Sequence, residues 1–441
     1  MRSDDLYFAL ITNVLLTTCF SMGIILVGDD SYEASLLMVI FVFSVLIISL
    51  ALILVIIYTF TTYPQIRLAE SCQKPNFELK MEAGCAFHAF SSHVWKTGQD
   101  RTHAIVRKLQ LLMSDVKIWL DVDEIDKSGG DLENAVEDSV VFLLVYSRGY
   151  FQSKNCRHEL NTALDLAKPI IMIYKEDVES TEPVLEIMKK EYEEFCFHDE
   201  TTSSRMLGYF DNAIPWLNED VYSAKALSFI SHCLLSHLPH YQIHPKELGR
   251  GVSVPGEADS SVRVVSPINM CVCSANEGAL SIAQEAKMLL GTGSSADFVT
   301  IVDPLECVDD LNPYENDANT YNFEGTRTVL LLYLNKKIFQ EEDVEFCNIV
   351  KRCIEAGIDI VFAHELDPDK GGCPFDLFFH QTPHELLDNP FKLYNLNIAV
   401  PLHSLSAYRE IGLRRLVQKM ANQEVSIKKP SLWRRLIESA D

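Results

Sequence analysis

Two long apolar runs near the N-terminus constrain this chain most strongly. No charged side chain occurs from Leu6 to Val27, and residues 34–60 form a longer run rich in Leu, Ile, Val and Phe. Each run exceeds the roughly 20 residues that a helix needs to cross a bilayer. The pattern predicts a transmembrane helical hairpin over residues 1–60, with spans at about residues 6–27 and 34–60.

Basic residues set the predicted orientation of this hairpin. Arg2 precedes the first run and Arg67 follows the second, whereas the connection at residues 28–33 is acidic and contains no Lys or Arg. Because cytosolic flanks carry the excess of basic residues, both termini are predicted to be cytosolic, which makes this a multi-pass membrane protein with two spans. A cleaved signal peptide is the alternative for the first run, but Asp4 spoils its basic start and no A-x-A-like cleavage site follows.

Composition excludes some classes of partner and site. The chain has 441 residues, enough for two or three domains, and 38 Lys and Arg against 62 Asp and Glu give a net charge of −24. That charge repels a phosphate backbone, so nucleic acid is not expected as a partner. The 12 cysteines form no C-x-x-C pair and no Cys/His cluster at zinc spacing. We therefore expect free thiols in a reducing compartment and no metal site.

After a polar juxtamembrane linker at residues 61–81, short apolar runs alternate with helical patterns. This rhythm predicts a flavodoxin-like parallel α/β sheet. The predicted elements are strands at residues 84–90, 116–120, 140–146 and 169–174, helices at 100–113 and 154–167, and a turn-rich loop at 121–131 followed by a short helix. Ligands usually bind at the carboxyl ends of the strands in such sheets.

Three segments of this region resemble the Toll/interleukin-1 receptor (TIR) domain family, over residues 82–238. AFHAFSSHVW resembles the first TIR box, with Phe87, Phe90 and Ser92 in its aromatic and serine positions, although His88 stands where many members have Asp. WLDVDEIDKSGGDLENAV, which begins at Trp119, is similar to the second strand and the flexible loop that follows it. The resemblance implies a signalling protein whose TIR domain pairs with other TIR domains.

The third segment, SRGYFQSKNCRHEL, is similar to the S-x-x-C-x-x-E pattern of NAD-cleaving TIR domains, with Ser153, Cys156 and Glu159 in its three positions. The resemblance implies a hydrolase of innate immunity. Such an enzyme cleaves NAD+ to nicotinamide and ADP-ribose, or cyclic ADP-ribose, when TIR domains cluster. NAD+ is then a substrate and no bound cofactor is needed. Glu159 is the implied catalytic residue, and the candidate substrate-binding residues are Ser153, Cys156, Phe90, Ser92, His93 and Trp119.

The chemistry explains why a glutamate matters. Breaking the bond between nicotinamide and ribose passes through an oxocarbenium-like sugar, which a nearby carboxylate stabilises, and nicotinamide leaves as a neutral molecule. On a helix that starts at Ser153, the buried stripe is predicted to comprise Cys156, Leu160, Ala163 and Ala167. Glu159 then lies beside the stripe, at the edge of the cleft.

Each candidate residue also has a structural interpretation. Ser153 is a good helix N-cap, and Cys156 is a small residue suited to the core. Glu159 on its own resembles a solvated helix residue, Trp119 fits a strand interior, and His93, like His88, fits a polar group at a strand end.

A second α/β pattern follows a predicted linker at residues 239–266 and extends over residues 267–421. VFLLVYSRGYFQ from Val141 aligns without a gap over VLLLYLNKKIFQ from Val329, which predicts a diverged copy of the first domain. In the helix after this segment, deleting two residues keeps apolar positions aligned and sets Glu159 opposite Glu345. Because Ser153 and Cys156 have no like counterparts, we predict a degenerate, non-catalytic TIR-like domain.

Three functions stay open at this level. The chain is a membrane-anchored NAD+-cleaving enzyme, a non-catalytic TIR adaptor, or a module that senses a nucleotide without turnover. The tail at residues 422–441 groups basic residues around Trp433 and other apolar residues. It suits either an anionic membrane surface or a terminal helix packed on its own domain.

Overall fold

The computed structural model describes residues 39, 42–50, 54, 65–68, 78–120, 132–176, 183–196, 200–249, 251–257, 262, 264, 266–290, 297–305, 326–340 and 344–421. The chain divides into a unit of residues 1–64 and a compact unit of residues 65–441. In the first unit, residues 42–50 are helical and expose apolar side chains such as Phe43 and Ile47. Within the described ranges, no helix has the length and apolarity needed to cross a membrane. The predicted span at 6–27, most of the span at 34–60, the loop at 121–131 and the tail at 422–441 lie outside these ranges.

The first α/β domain contains a five-stranded parallel sheet. In chain order the elements of this part are β1 (Arg67–Leu68), β2 (Phe87–His93), α1 (Trp95–Leu112), β3 (Ile118–Trp119), α2 (Leu132–Glu137), β4 (Ser139–Tyr146), α3 (Lys154–Asp165), β5 (Ile170–Lys175), α4 (Val184–Phe195), α5 (Glu200–Asp211), β6 (Ile214–Trp216), α6 (Asp220–Ser236), α7 (Pro239–Ile243) and β7 (Val252–Ser253). The strand order is β3-β2-β4-β5-β6, which is the flavodoxin-like order. Helices α2 to α5 pack on one face of the sheet and α1 and α6 on the other.

The second α/β domain repeats this topology. Its elements are β8 (Ile268–Cys271), α8 (Ala279–Met288), β9 (Val299–Val302), β10 (Arg327–Leu334), α9 (Val344–Glu355), β11 (Asp359–Glu365), α10 (Asp376–Gln381), α11 (His384–Leu387), β12 (Val400–Leu402) and α12 (Ser406–Met420). The order β12-β11-β10-β8-β9 is again the flavodoxin-like order. The two sheets agree with the prediction of two tandem flavodoxin-like domains.

The first strand of the sheet lies three residues later than predicted. Composition favoured residues 84–90, but β2 runs to His93 and buries Ser91, Ser92 and His93. Hydrogen bonds make this burial possible: Ser91 Oγ donates to the Trp119 carbonyl at 2.7 Å, and His88 Nδ1 accepts from the Lys117 amide at 2.9 Å. Ser91 and His88 can occupy a buried strand because these polar atoms have partners.

His88 is a structural residue of this strand. Its Nε2 lies 2.8 Å from the carbonyl oxygen of Leu79, so the ring donates from Nε2 and accepts at Nδ1 in its neutral form. Burial lowers the pKa of His88, which favours that neutral form.

Helix α3 is shorter than predicted. It ends at Asp165, and Ala167, which the periodicity placed in the buried stripe, is exposed with φ of +51°. A helix cannot continue through that left-handed conformation, and Leu164 takes the fourth buried position after Cys156, Leu160 and Ala163.

The predicted linkers pack on the first domain where the structure describes them. β1 pairs antiparallel with β7, and the Ile66 amide donates to the Leu112 carbonyl at 2.9 Å. Tyr241 is buried, and its hydroxyl accepts from the Glu78 amide at 3.2 Å. Apolar residues among the Pro, Gly and Ser residues account for this packing.

The two α/β domains share a small buried cluster around Tyr222 and Tyr408, and His403 lies within it. The His403 ring centroid is 5.0 Å from that of Tyr222 and 6.1 Å from that of Tyr408. Burial, followed by the charges of His364 and Arg415, lowers the pKa of His403 to about 4.

This pKa predicts a pH dependence of stability. The ordinary pKa of histidine is about 6.5, so between about pH 6.5 and 4 the unfolded chain binds more protons than the folded one. The contribution of His403 to the free energy of unfolding is therefore complete above about pH 6.5. As the pH falls to about 4, the free energy of unfolding decreases by about 3 kcal/mol. In urea unfolding at pH 7 and pH 4.5, we expect the parent to lose more stability than His403→Gln. Equal losses in the two proteins would contradict this assignment.

Candidate functional site

Three polar side chains meet at the carboxyl edge of the first sheet. β2 and β4 are neighbours, with Ser92 in register with Leu144, so the end of β2 lies beside the turn that follows β4. That turn contains Tyr150 and leads into α3, which contains Glu159. We refer to Ser92, Tyr150 and Glu159 as the polar trio.

The polar trio forms a hydrogen-bonded chain. Ser92 Oγ donates to Glu159 Oε2 at 2.6 Å and lies 2.6 Å from the Tyr150 hydroxyl. Because the single serine proton is used on Glu159, the Tyr150 hydroxyl donates to Ser92. Ser92 and Tyr150 are buried, whereas Glu159 is half-buried. Two buried hydroxyl groups therefore hold the half-buried Glu159 carboxylate at the surface of the domain.

Tyr150 stays protonated in this arrangement. Burial raises the pKa of its hydroxyl well above the ordinary value, and the neighbouring Cys156 and Glu159 raise it further. A neutral Tyr150 can donate to Ser92 throughout the physiological pH range. The donor chain fixes one oxygen of Glu159, and a carboxylate held in this way can stabilise a bound cation or a developing positive charge.

A buried glutamate fixes the turn that contains Tyr150. Glu191 of α4 accepts from the Phe151 amide at 2.8 Å, from the Tyr146 hydroxyl at 2.8 Å and from the Gly149 amide at 3.2 Å. Its side chain is buried. Gly149 has φ of +88°, a left-handed conformation that glycine adopts without strain. Glu191 thus holds the turn, and with it the Tyr150 hydroxyl, against α4.

Two of the predicted site residues have structural roles at the start of α3. Ser153 is the N-cap, and its hydroxyl accepts from the Cys156 amide at 3.4 Å. Cys156 is buried, and its thiol donates to the His93 carbonyl at 3.4 Å. Both residues position the first turn of the helix that contains Glu159.

The other predicted residues lie in the core. The rings of Phe90 and Trp119 stack with centroids 4.5 Å apart, and both are buried. His93 is buried and faces His103 of α1, because successive strand residues point to opposite faces of the sheet. The structure brings Ser92 to Glu159 but not Phe90, Trp119 or His93, and their roles in substrate binding stay predictions.

Tyr150 and Glu191 are the residues that the sequence interpretation missed. A tyrosine directly after a buried strand, in the string SRGYFQ, is a signal that the turn contains a polar group with an internal partner. Glu191 offered no comparable signal, because a single glutamate in a helical pattern resembles a solvated residue.

The second domain can be compared with the first through its strands and turns. β10 and β4 have the same length, so their first residues are equivalent. In the first domain, the Tyr150 amide donates to the Ser147 carbonyl in the turn after β4. In the second domain, the Ile338 amide donates to the Asn335 carbonyl at the same distance from the start of β10. Ile338 is therefore the counterpart of Tyr150.

Strand pairing gives the counterpart of Ser92. Phe142 pairs with Phe90, and the equivalent Leu330 pairs with Cys271. Two residues further along the chain, Cys273 occupies the position of Ser92.

Pairing with the next strand shows where the two chains differ in length. Phe142 pairs with Ile170 and its counterpart Leu330 pairs with Ile360, so Ile360 is the counterpart of Ile170. The segment between these paired positions is longer in the second domain. The span 330–360 is two residues longer than the span 142–170, which is a net insertion and not the predicted deletion.

The helices within this segment correct the predicted alignment of Glu159 with Glu345. Helices α3 and α9 have the same length. The number of residues from the end of α3 to Ile170 equals the number from the end of α9 to Ile360. The insertion therefore precedes the helix. In this register Glu159 lies opposite Ile349.

Burial could not distinguish the two alignments. They differ by about one helical turn, so both place apolar residues on the same face. The counterparts of the polar trio are thus Cys273, Ile338 and Ile349, and all three are buried in one apolar cluster. This replacement supports the prediction that the second domain is degenerate.

The family comparison agrees with the geometry of the first domain. Residues 90–206 match the TIR domain family, and this range contains all three members of the polar trio. TIR domains generally interact with other TIR domains, and the match supports a TIR signalling protein. No curated protein shows significant similarity to the chain. Among the described residues, no group of three or more His, Cys, Asp or Glu side chains could hold a metal ion.

Proposed function

We propose that the TIR domain at residues 90–206 cleaves NAD+ to nicotinamide and ADP-ribose, or cyclic ADP-ribose. The observation that carries the proposal is the hydrogen bond from Ser92 to Glu159 at the carboxyl edge of the sheet. This bond holds a half-buried carboxylate where parallel sheets bind ligands.

The reaction needs little beyond such a carboxylate. As the bond between C1′ of the ribose and the nicotinamide nitrogen breaks, its electron pair leaves with nicotinamide, which becomes neutral. Positive charge then develops on the ribose, and the Glu159 carboxylate stabilises it electrostatically. Water adds to C1′ and releases a proton, which yields ADP-ribose. Ser92 and Tyr150 act as positioning residues because they hold Glu159 through hydrogen bonds.

Membrane anchoring is part of the same proposal. The two apolar runs in residues 1–60, together with the exposed Phe43 and Ile47 of the helical residues 42–50, suit a hairpin in the bilayer with both termini cytosolic. An anchor confines TIR domains to a plane and raises their effective concentration. Clustering then promotes NAD+ cleavage.

Vesicles with a varied protein density test this dependence. We expect nicotinamide release per chain to rise when the full chain is reconstituted at higher surface density with the total protein constant. The control is a chain without residues 1–60 at the same total concentration, which we expect to be slower. Equal rates per chain at both densities and without the anchor would argue against the clustering step.

A non-catalytic adaptor is the second candidate function, and a specific observation favours it. The second domain keeps the flavodoxin-like order of its strands while Cys273, Ile338 and Ile349 replace the polar trio. A TIR-like fold in this chain can therefore act through contact alone. If the first domain acts the same way, or binds NAD+ without turnover, clustered protein will release no nicotinamide.

A further inference from the structure

The two α/β domains contact each other through the same elements of each fold. Strand β6 and helix α6 of the first domain contact helix α12 of the second domain and His403, which follows β12. The Tyr408 hydroxyl donates to the Pro215 carbonyl at 2.6 Å, and Arg415 Nη1 lies 2.5 Å from Glu219 Oε2. We refer to β6 and α6 as the pairing face of the first domain.

The strand registers identify equivalent residues on the two sides. Ile173 pairs with Ile214, and its counterpart Ala363 pairs with Val400, so Val400 is the counterpart of Ile214. Helices α6 and α12 begin equally far along the chain after these two residues. In this register, Tyr408 is the counterpart of Tyr222, His403 of Leu217, and Arg415 of Phe229.

Equivalent residues meet at the centre of the contact. The rings of Tyr222 and Tyr408 lie 5.6 Å apart, and both are fully buried. Tyr222 also contacts His403 at 5.0 Å, and Tyr408 shares a buried cluster with Leu217. Leu217, the counterpart of His403, thus belongs to the buried cluster that surrounds Tyr408.

The flanks of the contact show the same reciprocity. The Arg415 guanidinium lies 5.8 Å from the centroid of the Tyr222 ring, and the Phe229 ring lies 6.3 Å from that of Tyr408. When residue i contacts j and the counterpart of j contacts the counterpart of i, the interface is isologous about a local two-fold axis. Two differences distinguish the sides. Arg415 has an ion pair with Glu219 where the equivalent positions, Phe229 and Leu405, are apolar. The Tyr408 hydroxyl donates to the Pro215 carbonyl, whereas the Tyr222 hydroxyl makes no equivalent bond.

We propose that the second domain is a built-in TIR partner that occupies the pairing face of the first domain. A face that joins a diverged copy isologously is close to self-complementary, since Tyr222, Leu217 and Phe229 can meet the same residues of another chain. The second domain, which has lost the polar trio, keeps that face closed to other chains. Assembly between chains then uses other surfaces. This proposal does not depend on NAD+ cleavage.

Opening the interface from the second domain alone tests the proposal. In the full chain, Tyr408→Ala with Arg415→Glu removes the central ring and the ion pair but leaves the pairing face intact. We expect faster hydrogen exchange in α6, and sedimentation should show chains that associate in pairs beyond any association of the parent. Adding Tyr222→Ala should abolish this extra association, which separates specific pairing from aggregation. Arg414→Glu, a charge reversal at a neighbouring residue of α12, is the matched control.

Two results would overturn the proposal. Unchanged exchange in α6 would mean that these contacts do not hold the domains together. Faster exchange without extra association, or extra association that persists with Tyr222→Ala, would mean that the face is not self-complementary.

Discussion

Replacing Glu159 with Gln should lower kcat for NAD+ cleavage by about 10²- to 10³-fold, the usual loss when one electrostatic stabiliser of a transition state is removed. The amide keeps the size of the side chain and can still accept from Ser92, so the fold should be preserved. Only the negative charge, which the proposed mechanism uses to stabilise the ribose, disappears. Rates of nicotinamide release and thermal unfolding of the full chain measure the two effects separately.

Glu345→Gln is the matched control for this variant. Glu345 is exposed on α9, and the strand registers place Ile349, not Glu345, opposite Glu159. We expect Glu345→Gln to cleave NAD+ at the parent's rate. Loss of cleavage in Glu345→Gln, with Glu159→Gln fully active, would reverse the assignment of the active and degenerate domains.

The variant Glu191→Ala should lower the free energy of unfolding by about 3 to 5 kcal/mol, because two buried donors and one part-buried donor lose their acceptor, at a cost of about 1 to 3 kcal/mol for each buried donor. These donors are the Tyr146 hydroxyl and the amides of Gly149 and Phe151. Urea unfolding measures the loss. Cleavage of NAD+ should also fall, because the released turn contains Tyr150.

Glu193→Ala provides the comparison for this effect. Glu193 is exposed on the same helix two residues later, so its truncation should change stability by no more than about 0.5 kcal/mol. If both alanine variants unfolded at the same urea concentration, Glu191 would not brace the turn.

Local patterns predicted most of the first sheet. The apolar run of β4 is buried on both faces as a central parallel strand should be, and its predicted start at residue 140 differs from Ser139 by one residue. The end of β2 was missed because Ser92 and His93 are polar. Their burial depends on partners from α3, α1 and the turn after β4, which no local pattern contains.

The candidate site shows the same division. Glu159 and Ser92 were identified from motif resemblance, but their hydrogen bond joins residues 67 positions apart and follows only from the strand order. The role of Tyr150 depends on the position of the turn beside β2, where its hydroxyl contacts Ser92. The alignment of Glu159 with Glu345 was wrong because burial repeats at each helical turn, and only strand pairing fixes the absolute register.

The contact between the two α/β domains could not be predicted from the sequence, because composition does not identify the partners of a segment. Residues 239–266 have the composition of a linker, yet β7 within them pairs with β1 and Tyr241 is buried. The contact of Tyr222 with Tyr408 depends on the tertiary structure of both domains, which no local sequence pattern contains. Composition describes how a segment is solvated on average and does not identify its partners.

Nicotinamide release by the full chain is the most direct test of the central claim. The parent, reconstituted in vesicles at high surface density, would be incubated with NAD+ and the products quantified by chromatography. We expect one nicotinamide for each NAD+ consumed, with an equal amount of ADP-ribose and its cyclic form together, and background release from Glu159→Gln under the same conditions. Intact NAD+ with the clustered parent, or equal release by parent and Glu159→Gln, would contradict NAD+ cleavage by the first domain.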